Sequence, residues 1–313
     1  MPEERDTPST RIRLEEPITP FDTCRHEVSR VILDDRTPYQ HMQIVESPTM
    51  GRALILDGRW QSSTSDAHIY HEPLVHASFL HHAIANERQG PKSVLIAGGG
   101  DWRTAHEALK WASVRRVVLA EIDERVLGAC RTHFPEFHAG CEDDPRLEVV
   151  VDDAASVLET AMTTEHERFD IIIGDLSDPI DHGPSAELFT IEAYKRARSA
   201  LTPGGIFTTQ AGGISPAEVG PHARTRAKLQ SVFERALTLI APVQIFGTPL
   251  GIVIASDAPL DPNPEIERAA RILTENRVHD LRYLDAQTFA RSAFAPPYLQ
   301  DAIRWAQAAT AGR

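Results

Sequence analysis

Five short runs rich in β-branched residues follow one another between residues 93 and 210: VLIAGG, VVLAEID, LEVVVDD, FDIIIGD and GIFTTQ. Helix-like segments separate most of them. The runs are apolar almost throughout and do not alternate, which is the pattern of strands covered on both faces. Strands of that kind, joined by helices, predict a doubly wound, mostly parallel α/β sheet. VQIFGT and GIVIAS then predict a closing hairpin, and residues 263–313 read as largely helical.

The chain ahead of this region has another rhythm. HEVSRVILDD, YQHMQIVES and RALILDGRWQSS are strand-like and are separated by the turn signals DDRTP, SPTMG and DG. They predict a small antiparallel β-domain, and residues 67–85 predict a helix. The expected organisation is a flexible segment over 1–20, an N-terminal β-domain over 21–66, and a Rossmann-like nucleoside-binding domain with C-terminal helices over 67–313.

Charge narrows the partners. The formal net charge is −13, which disfavours nucleic acid bound through a basic surface and is compatible with a small cationic ligand. Three cysteines, Cys24, Cys130 and Cys141, have no CxxC spacing and fit a reduced, cytoplasmic setting. The opening residues are charged and show no signal-peptide core, and no apolar run reaches membrane-spanning length, so no membrane partner is expected.

In an open parallel sheet, ligands sit beyond the carboxyl ends of the strands. After the first strand comes Gly98-Gly99-Gly100-Asp101; Glu121 ends the second, Asp153 follows the third and Asp175 the fourth. A glycine turn lets backbone approach a ligand closely. An acid ending the second strand can accept from a ribose diol, and Asp153 can accept from an adenine amino group. The glycines do not form GxGxxG and no basic residue is placed for a pyrophosphate. A nucleoside with a positive charge suits this rim better than a dinucleotide, and S-adenosylmethionine or a relative is such a molecule. Taken singly, each acid could equally cap a helix.

The combination of Tyr39-Gln40, LILDGRWQ, IYHEPLVH, VLIAGGGD, AEID, FDIIIGDLSDP and LRYLDAQTFARSAFAPPYL resembles the spermidine synthases, the polyamine aminopropyltransferases, over residues 25 to 300. The resemblance implies a β-domain before a class I methyltransferase-type sheet and a homo-oligomer, dimer or tetramer. It implies transfer of the aminopropyl arm of decarboxylated S-adenosylmethionine to an amine, with release of methylthioadenosine and without a metal. Gln40, Gly98, Gly99, Asp101, Glu121 and Asp153 would hold the sulfonium nucleoside, and Asp101 with Asp175 the amine of its arm. Asp175, with Tyr70 and Asp178, would orient and deprotonate the attacking amine. His71, Trp102 and Gln210 are expected on the substrate side. The histidines around the YHE motif (His68, His71, His76, His81, His82) lack HExxH spacing, and no zinc site is expected.

Four departures from the family pattern bear on substrate. GGGD is followed by Trp102-Arg103 where the family has two glycines; Arg103 could pair with the carboxylate of intact S-adenosylmethionine, or simply face solvent. The acids of a T-E-x-D-E motif are reduced to Ser63-Thr64-Ser65-Asp66-Ala67. The loop before the last strand lacks the family's tyrosine and is expected to be short. Asp181 and His182 extend the loop after Asp178. The expected activity is therefore attack at the γ-carbon of S-adenosylmethionine or its decarboxylated form, with an acceptor other than putrescine. Intramolecular closure to 1-aminocyclopropane-1-carboxylate is the bolder form. Ordinary polyamine aminopropyl transfer, methyl transfer on the same scaffold, and a catalytically silent nucleoside-binding protein are the alternatives.

Overall fold

Trp60, Ile55 and Leu54 are the reason the first residues fold into sheets: their apolar faces must be covered, and short antiparallel strands cover them. The computed structural model describes residues 12–19, 21–87, 89–177 and 186–311. β1 (Ile12–Pro17) pairs antiparallel with β2 (Thr23–Val28). β3 (Arg30–Arg36), β4 (His41–Ser47), β5 (Gly51–Leu56) and β6 (Arg59–Ser63) form a four-stranded antiparallel meander. Asp57 and Gly58, both at positive φ (48° and 76°), make the tight turn between β5 and β6. β1 lies inside the segment expected to be a flexible lead-in. It is held by its ladder with β2 and by Glu16, whose carboxylate accepts the Trp60 amide at 3.0 Å.

The next helix runs as α1 (Ala67–Glu72), a π turn (Pro73–Ala77) and α2 (Ser78–Ala85). Pro73 brings no amide hydrogen to the helical ladder, and the widened turn sits where that donor is missing. The large sheet follows: β7 (Ser93–Gly98), α3 (Arg103–Leu109), β8 (Arg116–Ala120), α4 (Glu124–His133), α5 (Pro135–His138), β9 (Leu147–Val150), α6 (Ala154–Thr163), β10 (Phe169–Asp175), α7 (Ile191–Ala200), β11 (Leu201–Gly213), α8 (Val219–Val232), β12 (Arg235–Ala241) and β13 (Leu250–Ser256). The helices α9 (Ile266–Glu275), α10 (Ala286–Ser292) and α11 (Pro297–Ala311) close the described chain.

Strand order is β12-β13-β11-β10-β7-β8-β9, with β9, β8, β7, β10 and β11 parallel and β13 antiparallel to both of its neighbours, β11 and β12. All five runs expected as parallel strands are found. The closing hairpin differs from expectation in its first arm. RALTLIA forms β12, and VQIFGT lies in the connection, with Gln244–Phe246 as a 3-10 turn. Apolar layers pack on both faces of the sheet, as strands without alternation require. Among the described residues no helix is long and apolar enough to cross a membrane.

One buried acid ties the end of the chain to its middle. Glu72 is fully buried and accepts the backbone N–H groups of Arg282, Tyr283 and Leu284 at 2.9, 2.7 and 2.8 Å. Removing such an acceptor leaves buried donors without a partner, which costs more than a hydrogen bond is worth when made. Glu72→Ala is expected to lower unfolding stability by about 3 kcal/mol, measured by denaturant titration; a loss below about 1 kcal/mol would contradict this role.

Candidate active site

The chain leaves β7 toward β8 and β9 on one side and crosses back to β10 on the other. The crevice at such a switch point is where open α/β sheets bind ligands. Gly98 and Asp175 are register partners at the carboxyl ends of β7 and β10. The turn after β7 is tight enough that only glycine fits. Gly98 and Gly99 have φ of 84° and 77°, and a Cβ on Gly98 would lie 2.3 Å from the Asp175 carbonyl oxygen. The Gly99 amide donates to that same carbonyl at 2.9 Å.

A cavity of about 580 Å³ opens over this turn. Gln40, Tyr70, His71, Gly98, Gly99, Asp101, Glu121, Asp153, Asp175 and Gln210 all line it. Residues as far apart in sequence as Gln40 and Gln210 thus meet in one space, while Asp178 lies outside the described residues.

The floor is a cluster of ionisable groups. Tyr70 O–H donates to one oxygen of Asp175 at 2.7 Å, and Thr104 O–H donates to the other at 2.6 Å. The Nδ1 of His71 is 2.7 Å from the Ala67 carbonyl, which can only accept, so Nδ1 carries the proton. Its Nε2 faces Asp101 at 3.3 Å. Burial alone would lower the His71 pKa, but the Asp101 charge and hydrogen bond, with Asp175, outweigh it and hold the ring above its ordinary value. Burial would likewise raise Asp101; His71 and the Arg103 amide reverse this and hold it low. Asp175 is raised, by burial first and by the like charge of Asp101, against the opposing pull of His71 and the two hydroxyls. Ligand atoms of His71, Asp101 and Asp175 lie within 4.8 Å of one another, a spacing that suits a small cation or an ammonium group equally.

The opposite wall suits a nucleoside. Glu121 ends β8, and burial pushes its carboxyl up to about 7. Asp123, two residues on, caps α4 and accepts from Thr37 O–H at 2.6 Å and from the Gln40 amide at 3.1 Å. That contact holds the N-terminal domain against the sheet and aims Gln40 at the cavity. Asp153 caps α6 through the Ala155 amide and stands exposed at the rim.

Trp102 and Arg103 are not in the cavity wall. Trp102 starts α3 with φ of 73°, and its indole is buried, donating to the Leu127 carbonyl at 3.0 Å. The Arg103 guanidinium turns outward to Glu107 (2.6 Å) and to the Glu136 carbonyl (3.2 Å). Glu107 is fully buried and also meets His76 and Lys110, at 2.8 and 2.7 Å. The expectation that Arg103 meets a donor carboxylate, and that Trp102 fills substrate space, is therefore corrected. Buried Glu107, four residues on along α3, is a stronger attractor than an open cavity.

Three further placements differ from expectation. Gln210 lines the cavity, but its amide is engaged by the Leu176 carbonyl (3.0 Å) and the Gly212 amide (2.9 Å), so it shapes the loop after β10. The connection between β12 and β13 is eight residues long, and its Phe246 meets Tyr70 edge to face at 5.8 Å. Asp66 serves the fold, accepting from Ser63 O–H at 2.6 Å and the Ile245 amide at 2.8 Å. Thr104 and Asp123 were not foreseen as site residues. The EID run carried a signal for Asp123, whereas nothing local marks Thr104.

The spermine/spermidine synthase domain profile matches residues 67–260, and the spermidine synthase tetramerisation domain profile matches residues 15–63. The chain is 37% identical over 300 residues to a polyamine aminopropyltransferase of Synechococcus sp. (strain JA-2-3B'a(2-13)), covering 95% of this chain and 94% of that protein. It is 36% identical over 291 residues to a polyamine aminopropyltransferase of Aeropyrum pernix, covering 91% and 88%. A spermidine synthase crystallised with the transition-state analogue AdoDATO superimposes with a TM-score of 0.83 at 27% identity, covering 97% of this chain and 99% of that one.

Thr104→Val keeps the side-chain shape and removes one donor to Asp175. The Asp175 pKa is expected to rise further, because a hydrogen bond to the charged form is lost. Carbon-detected carboxyl titration by NMR measures this, and an unmoved Asp175 would show that the hydroxyl does not hold it.

Proposed function

The chain belongs to the spermine/spermidine synthase family, and we propose that it transfers an aminopropyl group from decarboxylated S-adenosylmethionine to an amine other than putrescine, releasing methylthioadenosine. The observation that carries this reading is the convergence of Asp101, Asp175 and His71 on the floor of a cavity whose other wall holds Gln40, Glu121 and Asp153. A nucleoside with a cationic three-carbon arm meets a hydrogen-bonding partner at each end. The tetramerisation-domain match supports a homo-oligomer.

The chemistry asks little of the protein beyond position and charge. The amine lone pair attacks the γ-carbon; the carbon–sulfur bond breaks, and sulfur takes the electron pair and departs as a neutral thioether. In-line placement supplies most of the acceleration. The attacking amine must first lose a proton, since an alkylammonium has no lone pair. Asp175 is the acceptor, its two oxygens fixed by Tyr70 and Thr104 and its raised pKa bringing it closer to that of the amine.

The donor is assigned as the decarboxylated form because Arg103, the residue that would favour the intact form, is committed to Glu107. Cyclisation of the intact donor loses its support with it. The acceptor is assigned as other than putrescine because Thr64 and Ala67 supply no acid and Asp66 is engaged by the fold. A second buried ammonium would have no carboxylate there.

The test is the identity of the nucleoside released. Decarboxylated S-adenosylmethionine with a panel of amines is expected to yield methylthioadenosine. S-adenosylhomocysteine from the intact donor would instead mean methyl transfer, and methylthioadenosine from the intact donor alone would mean cyclisation. Asp175→Asn is expected to lower kcat by about a hundred-fold or more while methylthioadenosine still binds.

Glu121 adds a pH prediction. The ribose diol donates to the ionised carboxylate, and the free carboxyl titrates at about 7. The ionised form prevails above that pH, so affinity for methylthioadenosine should rise as pH climbs through about 7 and level off beyond it. Calorimetry across pH measures this. Glu121→Gln is expected to bind more weakly with no such slope, and a slope that survives the substitution would assign it to another group.

A further inference from the structure

Arg59 stands in the wall of this acidic cavity, and among the described residues it is the only arginine or lysine that does. It opens β6, directly across from Leu56 on β5. The register then shifts, so that Ser62 faces Leu54. The bulge puts Arg59 and Ser62 on the same, cavity-facing side as Leu54 and Leu56. Ser62 lies beside Asp101 in the cavity wall. Three residues of strand span about 10 Å, so Arg59 lies at the far end of the cavity from the carboxylates that receive the reacting groups.

The guanidinium is held in place yet open to a ligand. It donates to the Pro17 carbonyl at the end of β1, and among the described residues no carboxylate is ion-paired with it. The acid beside it is already engaged: Glu16 accepts the Trp60 amide and meets His26 at 3.2 Å. A diamine in the cavity would bring its second ammonium toward a cation. An amine that also bears a carboxylate would bring an anion to a fork of unused donors, the pairing for which a guanidinium is best shaped.

Building on the aminopropyl-transfer reading above, we infer that the acceptor is an amino acid or diamino acid, whose amine reaches Asp175 while its carboxylate pairs with Arg59. The carboxylate could in principle arrive on the intact donor. There it sits on the carbon that carries the arm's amine, which Asp101 and Asp175 attract, so two like charges would oppose it. The acceptor is the better carrier.

Putrescine and ornithine form a matched pair of probes, because ornithine is putrescine with one carboxylate added. With decarboxylated S-adenosylmethionine as donor, kcat/KM for ornithine is expected to exceed that for putrescine by about ten-fold or more. Arg59→Gln is expected to erase this preference, and Arg59→Lys to keep part of it. Methylthioadenosine affinity and melting temperature, measured on both variants, report that the nucleoside site and the fold are intact. Equal or better use of putrescine by the unmodified protein, or a preference that survives Arg59→Gln, would overturn the inference. Arg59-dependent methylthioadenosine release from intact S-adenosylmethionine and putrescine would move the carboxylate to the donor and overturn it too. Release with putrescine alone would leave the aminopropyl-transfer reading standing, whereas no release with any amine would overturn that reading and this inference together.

Discussion

Two carboxylates that would repel each other lie on adjacent turns of one buried floor, and the surrounding structure exists to keep them there. Asp101 and Asp175 are close enough for each to feel the other's charge. The carboxylates favour the protonated form of His71 and hold its pKa above the ordinary value, and its ring is fixed by the Ala67 carbonyl. Tyr70 and Thr104 satisfy the two oxygens of Asp175. An isolated charged acid would be costly at this depth. The arrangement also leaves unmet demand for positive charge, which a cationic substrate can fill.

Several distant parts of the chain converge to hold this floor. The glycine turn is needed because the Asp175 backbone occupies the space a side chain on Gly98 would take. α3 supplies Thr104 from one face, while Arg103, next to it, anchors the same helix through Glu107. Glu72 holds the segment after α9 against α1, the helix that carries Tyr70 and His71. Asp123 draws the N-terminal domain onto the sheet and brings Gln40 to the cavity wall. The site is thus a joint product of both domains, which explains why its residues are spread from Glu16 to Leu250.

The large sheet was legible in the sequence because strands buried on both faces leave an unbroken apolar signature and because acids at their ends mark one rim. The same logic located Asp101, Glu121, Asp153 and Asp175. What was not legible depended on competition between contacts distant in sequence. Arg103 lies two residues beyond Asp101, which lines the cavity, yet a buried glutamate one turn on captured it. VQIFGT is as strand-like as RALTLIA, but only the latter pairs with β13 along its whole length. Local pattern cannot rank such rivals. Thr104 was missed for a related reason: a threonine in a helix has no distinguishing pattern until its partner, 71 residues away, is in place.

The claim at the centre of this account is that the cavity floor is built for a cationic arm rather than for a nucleoside alone. Competitive binding of decarboxylated S-adenosylmethionine against methylthioadenosine tests it most directly, because the two share the nucleoside and differ in the charged arm. The account predicts that the charged form binds about ten-fold tighter or more, and that Asp101→Asn removes most of the difference. Equal affinities in the unmodified protein would contradict it.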